Sequence, residues 1–261
     1  MRQRGDFRRL KGRRALVTGG AGALGAAIAR RFAAEGAQVV LWDKNQPGLD
    51  GMAPPDGALP FVKAAVNVLD SDDVTGAARR MLDQFGVIDI VVNNAGGALD
   101  KPYHLLDQTE DDWRQTLDLN LLSTFRVTKA FVAAMCDRGY GRVINIGSKA
   151  GRYSSYIDGP AYCAAKGAVH AFTLSLAMEF GPKGVTANAI LPGLVMSERV
   201  RALWETRRPR EEREAIRLAI PLQRHAEADD VGGACAFLAS DDAKFITGTL
   251  LDLNGGQSMA T

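Results

Sequence analysis

Short runs of apolar and β-branched residues alternate along this chain with longer amphipathic stretches, and no other feature restricts the possible folds as much. Ala15 to Val17, Val39 to Trp42, Phe61 to Val66, Ile88 to Val92, Arg142 to Ile146, Val185 to Ile190 and Leu250 to Leu253 read as seven strands. Strands this uniformly apolar are buried on both faces, the condition of a parallel sheet. Ala23 to Glu35, Ser71 to Phe85, Thr109 to Met135, Pro160 to Phe180 and Glu227 to Leu238 carry the helical period between them. The pattern predicts an α/β fold, a doubly wound seven-stranded parallel sheet with helices on both faces.

The 261 residues, 46% apolar and without repeat or linker, fit a single domain. We read residues 1–13 as a frayed basic arm, 14–261 as the domain, 45–60 as a surface loop, and about 194–218 as a charged lid segment. Lys and Arg number 32 against 30 Asp and Glu, a balance that argues against a nucleic-acid partner. Three cysteines without a CxxC pair and three histidines lead us to expect neither a metal site nor a disulfide framework. No apolar run approaches the roughly 20 residues of a membrane span, and the basic start lacks the apolar core of a secretory signal. The expectation is a cytoplasmic protein without a membrane partner.

Thr18-Gly19-Gly20-Ala21-Gly22-Ala23-Leu24-Gly25 joins the first strand to the first helix. Gly20, Gly22 and Gly25 spell G-x-G-x-x-G, glycines that admit a pyrophosphate to a helix N-terminus. Asp43 ends the second strand, 18 residues beyond Gly25. A carboxylate there accepts hydrogen bonds from adenosine ribose hydroxyls and repels a 2′-phosphate, which favours NAD. Lys44 beside it leaves NADP open.

Further along, Asn93-Asn94-Ala95-Gly96 follows the fourth strand, Asn120 lies in the long helix, and Ser148 follows the fifth strand. Tyr162 and Lys166 form Y-x-x-x-K, Asn188 to Gly193 ends the sixth strand, and Leu253 to Gly256 ends the seventh. In this order, with Thr18-Gly19 ahead of the glycine turn, these segments resemble the short-chain dehydrogenase/reductase family from Lys11 to Gly256. The resemblance implies a Rossmann fold and NAD(P)-dependent oxidoreduction of CH–OH groups. Carried over residue by residue, it implies a catalytic set of Asn120, Ser148, Tyr162 and Lys166. The cofactor set it implies is Gly19, Gly22, Ala23, Leu24, Gly25, Asp43, Lys44, Asn67, Val68, Asn94, Ala95, Gly96, Tyr162, Lys166, Pro192, Gly193, Val195 and Ser197.

The chain also departs from the family. Ala23 stands where a glycine is usual, and Asn67-Val68 replaces Asp-Val beside the adenine. The spacing from Ser148 to Tyr162 is one residue longer, and Ser197 replaces a threonine.

Tyr162 and Lys166 share a helix face, one turn apart. A phenol titrates near pH 10, and bringing it to neutrality needs roughly 4 kcal/mol of preferential phenolate stabilisation. A neighbouring ammonium supplies that directly. Tyr162 then exchanges a proton with the substrate oxygen while Ser148 hydrogen-bonds it. By resemblance, Lys166 also binds the nicotinamide ribose, and Asn120 holds a water leading from Lys166 to solvent. Cys163 points about 100° away from Tyr162 on a helix, and it reads as packing, as do His104, His170 and His225.

Residues 97–106, 149–158 and 194–218 should set substrate choice. The stretch 199–217 holds seven Arg and four Glu, read as a solvated lid helix or as a source of one arginine, such as Arg199 or Arg201, for an anionic substrate. A reductase of 3-oxoacyl-carrier thioesters using NADPH is the close alternative. Of the basic positions that grip the carrier in that subgroup, Arg126 fills one and Met178 stands at the other. With Asp43, this favours an NAD-dependent dehydrogenase of a secondary alcohol. A non-catalytic NAD-binding sensor is a third reading, against which both Tyr162 and Lys166 are kept. Apolar residues around the Thr109–Met135 and Pro160–Phe180 helices predict a homotetramer or homodimer.

Overall fold

Seven apolar segments pair side by side in one parallel sheet of order β3-β2-β1-β4-β5-β6-β7, as expected. The structure, a computed structural model, describes residues 8–98, 101–153, 159–207 and 209–259. In chain order the elements are β1 (Arg14–Thr18), α1 (Ala23–Ala34), β2 (Gln38–Asp43), α2 (Gln46–Asp50), β3 (Val62–Ala65), α3 (Ser71–Phe85) and β4 (Ile90–Asn93). They continue with α4 (Glu110–Leu117), α5 (Ser123–Arg138), β5 (Gly141–Ile146), α6 (Pro160–Phe180) and β6 (Val185–Pro192). Last come α7 (Glu198–Arg207), α8 (Arg210–Leu218), α9 (Ala228–Ala239) and β7 (Leu250–Leu253).

Two apolar layers sandwich the sheet. Ile28 and Phe32 of α1 pack with Val231 and Cys235 of α9 over one face. Val74 of α3, Phe131 of α5 and Leu176 of α6 cover the other. The strand order reverses between β1 and β4, and a crevice for a ligand opens at such a switch point, at the carboxyl ends of the strands.

Several expectations need correction. The arm is not frayed over its last residues: Leu10 is fully buried, and Arg9 makes a two-bond ion pair with Glu35. Residues 1–7 lie outside the described residues. The 45–60 loop contains α2, capped by the Asn45 side chain with Pro47 in its first turn. The Thr109–Met135 helix is interrupted. Thr109 and Asp112 form the capping box of α4, but a wide π turn, Asp118–Leu122, separates it from α5. Not all of the apolar residues around that helix face outward: Phe131 is buried and tilts against Trp42 with ring centroids 5.6 Å apart.

Candidate active site

The site begins where β1 ends. Gly19 turns the chain with φ +64°, a left-handed conformation open to glycine at little cost. A Cβ on Gly25 would fall 2.2 Å from the Gly19 carbonyl oxygen, so α1 sits on the turn at a distance only glycine permits. Gly22 is different: it precedes α1 at φ −74°, and a Cβ there would meet nothing closer than 3.4 Å. Gly19 and Gly25 therefore match the family register, Gly20 is held close by Leu41, whose side chain a Cβ would meet at 3.0 Å, and Gly22 alone of the four has room for a side chain. Ala23 opens the helix from an exposed position and needs no glycine conformation. No side chain caps α1, so the first-turn N–H groups, from Ala23 through Gly25, are left for an anion.

Thr18 ties this turn to the end of β4. Its Oγ1 accepts from the N–H groups of Asn94 and Ala95, both at 3.0 Å, and donates to the Val92 carbonyl. Asn94 Nδ2 donates in return to the carbonyls of Thr18 and Gly19. Asp43 stands at the tip of β2, its Oδ2 accepting from Ala21 N at 3.1 Å and its Oδ1 from Asn45 N at 2.9 Å. Lys44 beside it is exposed. Asn67 Oδ1 accepts from Leu69 N, next to the buried Val68. On the other side of the crevice Gly193 N donates to Leu253 O at 2.9 Å, after the buried Pro192. Val195 bridges to Ala226, and Ser197 Oγ accepts from Val200 N at the start of α7.

Lys166 is buried on α6, where its Nζ donates to the Ile146 carbonyl at 2.8 Å and lies 5.7 Å from the centre of the Tyr162 ring. Burial alone pulls its ammonium down to about 8. Ser148 begins a 3₁₀ turn, Lys149–Gly151, and its Oγ accepts from Ala150 N at 3.1 Å. That bond fixes the oxygen and leaves the hydroxyl proton to donate. Asn120 lies buried in the π turn with its amide committed to protein: Oδ1 accepts from Gly97 N, and Nδ2 donates to the carbonyls of Gly97 and Thr116. A Cβ on Gly96 would come within 2.7 Å of Asn120 Oδ1 and 3.4 Å of Lys166 Nζ, so these groups meet at one spot.

Beneath the site runs a buried amide chain that begins at Asn93 of the Asn93–Gly96 segment and continues through Asn145, Thr128 and Thr173, which no motif announced. Asn93 Nδ2 donates to Thr128 Oγ1 and Asn145 Oδ1, and Asn145 Nδ2 donates to Thr173 Oγ1. It links β4 and β5 to α5 and α6. Among the described residues no group of three His, Cys, Asp or Glu could hold a metal ion, and no helix is long and apolar enough to cross a membrane. The side chain of Arg199 and residues 154–158 lie outside the described residues.

The family model described as enoyl-(acyl carrier protein) reductase, of the short-chain dehydrogenase type, matches residues 19–258. The chain belongs to the short-chain dehydrogenase/reductase family, whose members are oxidoreductases acting on CH–OH and keto groups with NAD(P). It is 35% identical over 248 residues to the acetoacetyl-CoA reductase of Cupriavidus necator, covering 94% of this chain and 98% of that one. It is 36% identical over 250 residues to the 3-oxoacyl-[acyl-carrier-protein] reductase FabG of Escherichia coli strain K12, covering 95% and 98%. Among solved structures it resembles an NAD⁺-bound xylitol dehydrogenase, with a TM-score of 0.88, 29% identity and coverage of 95% and 100%.

Proposed function

We propose that this protein interconverts a secondary alcohol and its ketone with NAD(H), using Tyr162 as the acid–base group. The observation that carries the reading is the buried Lys166 ammonium, held by the Ile146 carbonyl 5.7 Å from the Tyr162 ring. A cation beside a phenol in a dry site favours the phenolate. Tyr162 then takes the alcohol proton in oxidation and returns it in reduction. Ser148 donates its hydroxyl proton to the substrate oxygen and steadies the charge that develops there. Nicotinamide, when bound, supplies the hydride acceptor or donor. Lys166 also binds the nicotinamide ribose, and Asn120 holds the water that leads from Lys166 to solvent.

Glycines shaped to a close turn and an uncapped helix start suit the pyrophosphate, with Gly19, Gly22, Ala23, Leu24 and Gly25 around it. Asn94, Ala95 and Gly96 line the floor, Asn67 and Val68 the adenine side, and Pro192, Gly193, Val195 and Ser197 the nicotinamide side. Asp43 receives the adenosine ribose, and its charge sets NAD above NADP even with Lys44 adjacent. Titration with NADH and NADPH tests this. The Asp43→Ala variant should close the gap between the two by roughly tenfold, since a hydrogen bond to a charged group contributes about 1.5 kcal/mol or more.

A second reading, reduction of a 3-oxoacyl thioester with NADPH, is favoured by the identity to acetoacetyl-CoA and 3-oxoacyl carrier-protein reductases. Against it, Arg126 is engaged by Asp118 at 2.7 Å and Met178 offers no charge to a carrier. A panel of secondary alcohols, polyols and acetoacetyl-CoA, each with both cofactors, separates the readings by the change in nicotinamide absorbance. Faster NADPH-linked turnover of the thioester than of every alcohol overturns the first.

The same reading takes the protein as a cytoplasmic homo-oligomer, a tetramer or a dimer. Leu122, Phe125, Leu174 and Met178 are exposed on and beside α5 and α6, and a second subunit covers them. Light scattering at micromolar concentration that returns the 28.0 kDa chain mass would end this part.

A further inference from the structure

The single histidine on α6 sits where the site is most crowded. His170 is 5% exposed and lies one helical turn beyond Lys166, on the same face. Its Nε2 accepts from the Ser148 backbone N–H at 3.4 Å. The Gly151 backbone also hydrogen-bonds to the imidazole. A ring that accepts at Nε2 has its proton on Nδ1, so the bond to the Gly151 carbonyl is donated from Nδ1. One neutral side chain thus spans the turn from Ser148 to Gly151.

The surroundings are cut to fit this ring. A Cβ on Gly147 would lie 2.6 Å from His170 Nε2, and one on Gly151 would lie 2.8 Å from its Cε1. Lys166 on the same helix, Arg152 after the turn and Asp252 on β7 are the charged groups that face it. Burial, with the Lys166 and Arg152 charges, pushes the imidazole down to about 4. It stays neutral across the working range of an enzyme and is not a proton carrier. Beyond the turn, Arg152 and Tyr153 anchor to Asp252 on β7.

We propose that His170 is a positioning residue: it fastens the turn bearing Ser148 to the helix bearing Tyr162 and Lys166, so that one rigid element aims both groups at the same substrate oxygen. This rests on the reading above that Tyr162 and Ser148 act on that oxygen. A misplacement of about 1 Å in such a group can cost on the order of 100-fold in rate.

The test uses His170→Leu, which keeps the bulk without either bond, and His170→Gln, which restores one acceptor and one donor. His170→Leu should lower kcat about 10- to 100-fold with KM for the cofactor unchanged, and His170→Gln should recover most of the loss. In a Ser148→Ala background His170→Leu should cost nothing further, because it acts through Ser148. Nitrogen NMR of histidine-labelled protein should show His170 protonated on Nδ1 and bare on Nε2 at neutral pH, a result independent of turnover or of how the variants fold. Wild-type kcat in His170→Leu, losses that multiply in the double variant, or a proton on Nε2 would each overturn the proposal. If the wild-type protein turns over no alcohol or ketone, the functional reading fails instead, while the tautomer still decides what His170 holds.

Discussion

The end of the crevice proposed for the cofactor and the rim proposed for the substrate are built from different materials. The cofactor end is backbone: Gly19 and Gly25 in contact across the turn, the Thr18 hydroxyl joining β1 to β4, and an uncapped helix start. The rim is side chains on short helices. Tyr103, Leu105 and Leu106 are exposed beside a 3₁₀ turn, and α8 buries none of its residues. Backbone geometry answers to a ligand part that every relative shares, whereas exposed side chains can change without disturbing the sheet. The same crevice can therefore serve different substrates, which is why an acetoacetyl-CoA reductase and a xylitol dehydrogenase both resemble this chain.

If the division is real, chemistry and cofactor binding should fail separately. Tyr162→Phe should lower kcat by about 10² to 10⁴-fold, the usual range for a general acid–base group. The dissociation constant for NADH, measured by fluorescence titration, should stay within twofold (about 0.4 kcal/mol). A variant that keeps half the wild-type rate would break the mechanism outright.

The next effect is on stability. His170 titrates at about 4 in the folded chain against 6.5 when exposed, chiefly because it is buried. Between those values the unfolded chain takes up a proton that the folded one refuses. Stability is therefore complete above pH 6.5 and falls as pH drops toward 4, by up to about 3 kcal/mol. Urea unfolding at pH 7 and pH 4.5 should show that slope, and His170→Gln should flatten it. An unchanged slope would remove the imidazole from the floor of the site.

The cradle itself is probed by two alanines. Gly25→Ala drives a methyl into the Gly19 carbonyl and should weaken NADH binding about 10- to 100-fold, the scale of an overpacked contact of 1 to 3 kcal/mol. Gly22→Ala makes only an ordinary contact, 3.4 Å from the Gly19 carbonyl oxygen, and should change binding less than twofold. Equal losses from the two would mean that the spelling of the motif, rather than the contact, governs the turn.

Most of the cradle was legible because its motifs sit at strand ends, where the sheet dictates their place. The glycine register is harder to read, because G-x-G-x-x-G is spelled only from Gly20, whereas the pair in contact, Gly19 and Gly25, is identified by the close approach of α1. The π turn was invisible: Asn120, Ser123 and Thr124 are ordinary in a helical pattern until the Asn120 amide reaches Gly97 from across the fold. In the sequence His170 reads as packing because a lone histidine carries no spacing signal; its meaning comes from Gly147 and Gly151 making room for it. Leu10, inside a basic run, gave no sign that the chain beside it packs into the core.

The smallest expected effect belongs to the rim, where the comparison is sharpest. Helix α7 is reached by an edge-on contact of Trp204 with His225, ring centroids 5.5 Å apart, while on α8 Arg217 pairs with Glu214 three residues away on the surface. Solvent screens such an exposed pair, so Arg217→Ala, which also gives up an exposed bond to the Gln223 carbonyl, should leave both substrates nearly untouched. An aromatic contact of this kind contributes about 0.5 to 1.5 kcal/mol beyond its buried area. Trp204→Ala should therefore raise KM for the alcohol about two- to tenfold by loosening α7 over the substrate. The dissociation constant for NADH should change less, because Trp204 lies seven residues beyond Ser197, the last residue assigned to the cofactor. Steady-state kinetics beside a cofactor titration on one variant decides the matter. If both constants move together, the lid grips the cofactor as well, and rim and cradle are one unit rather than two.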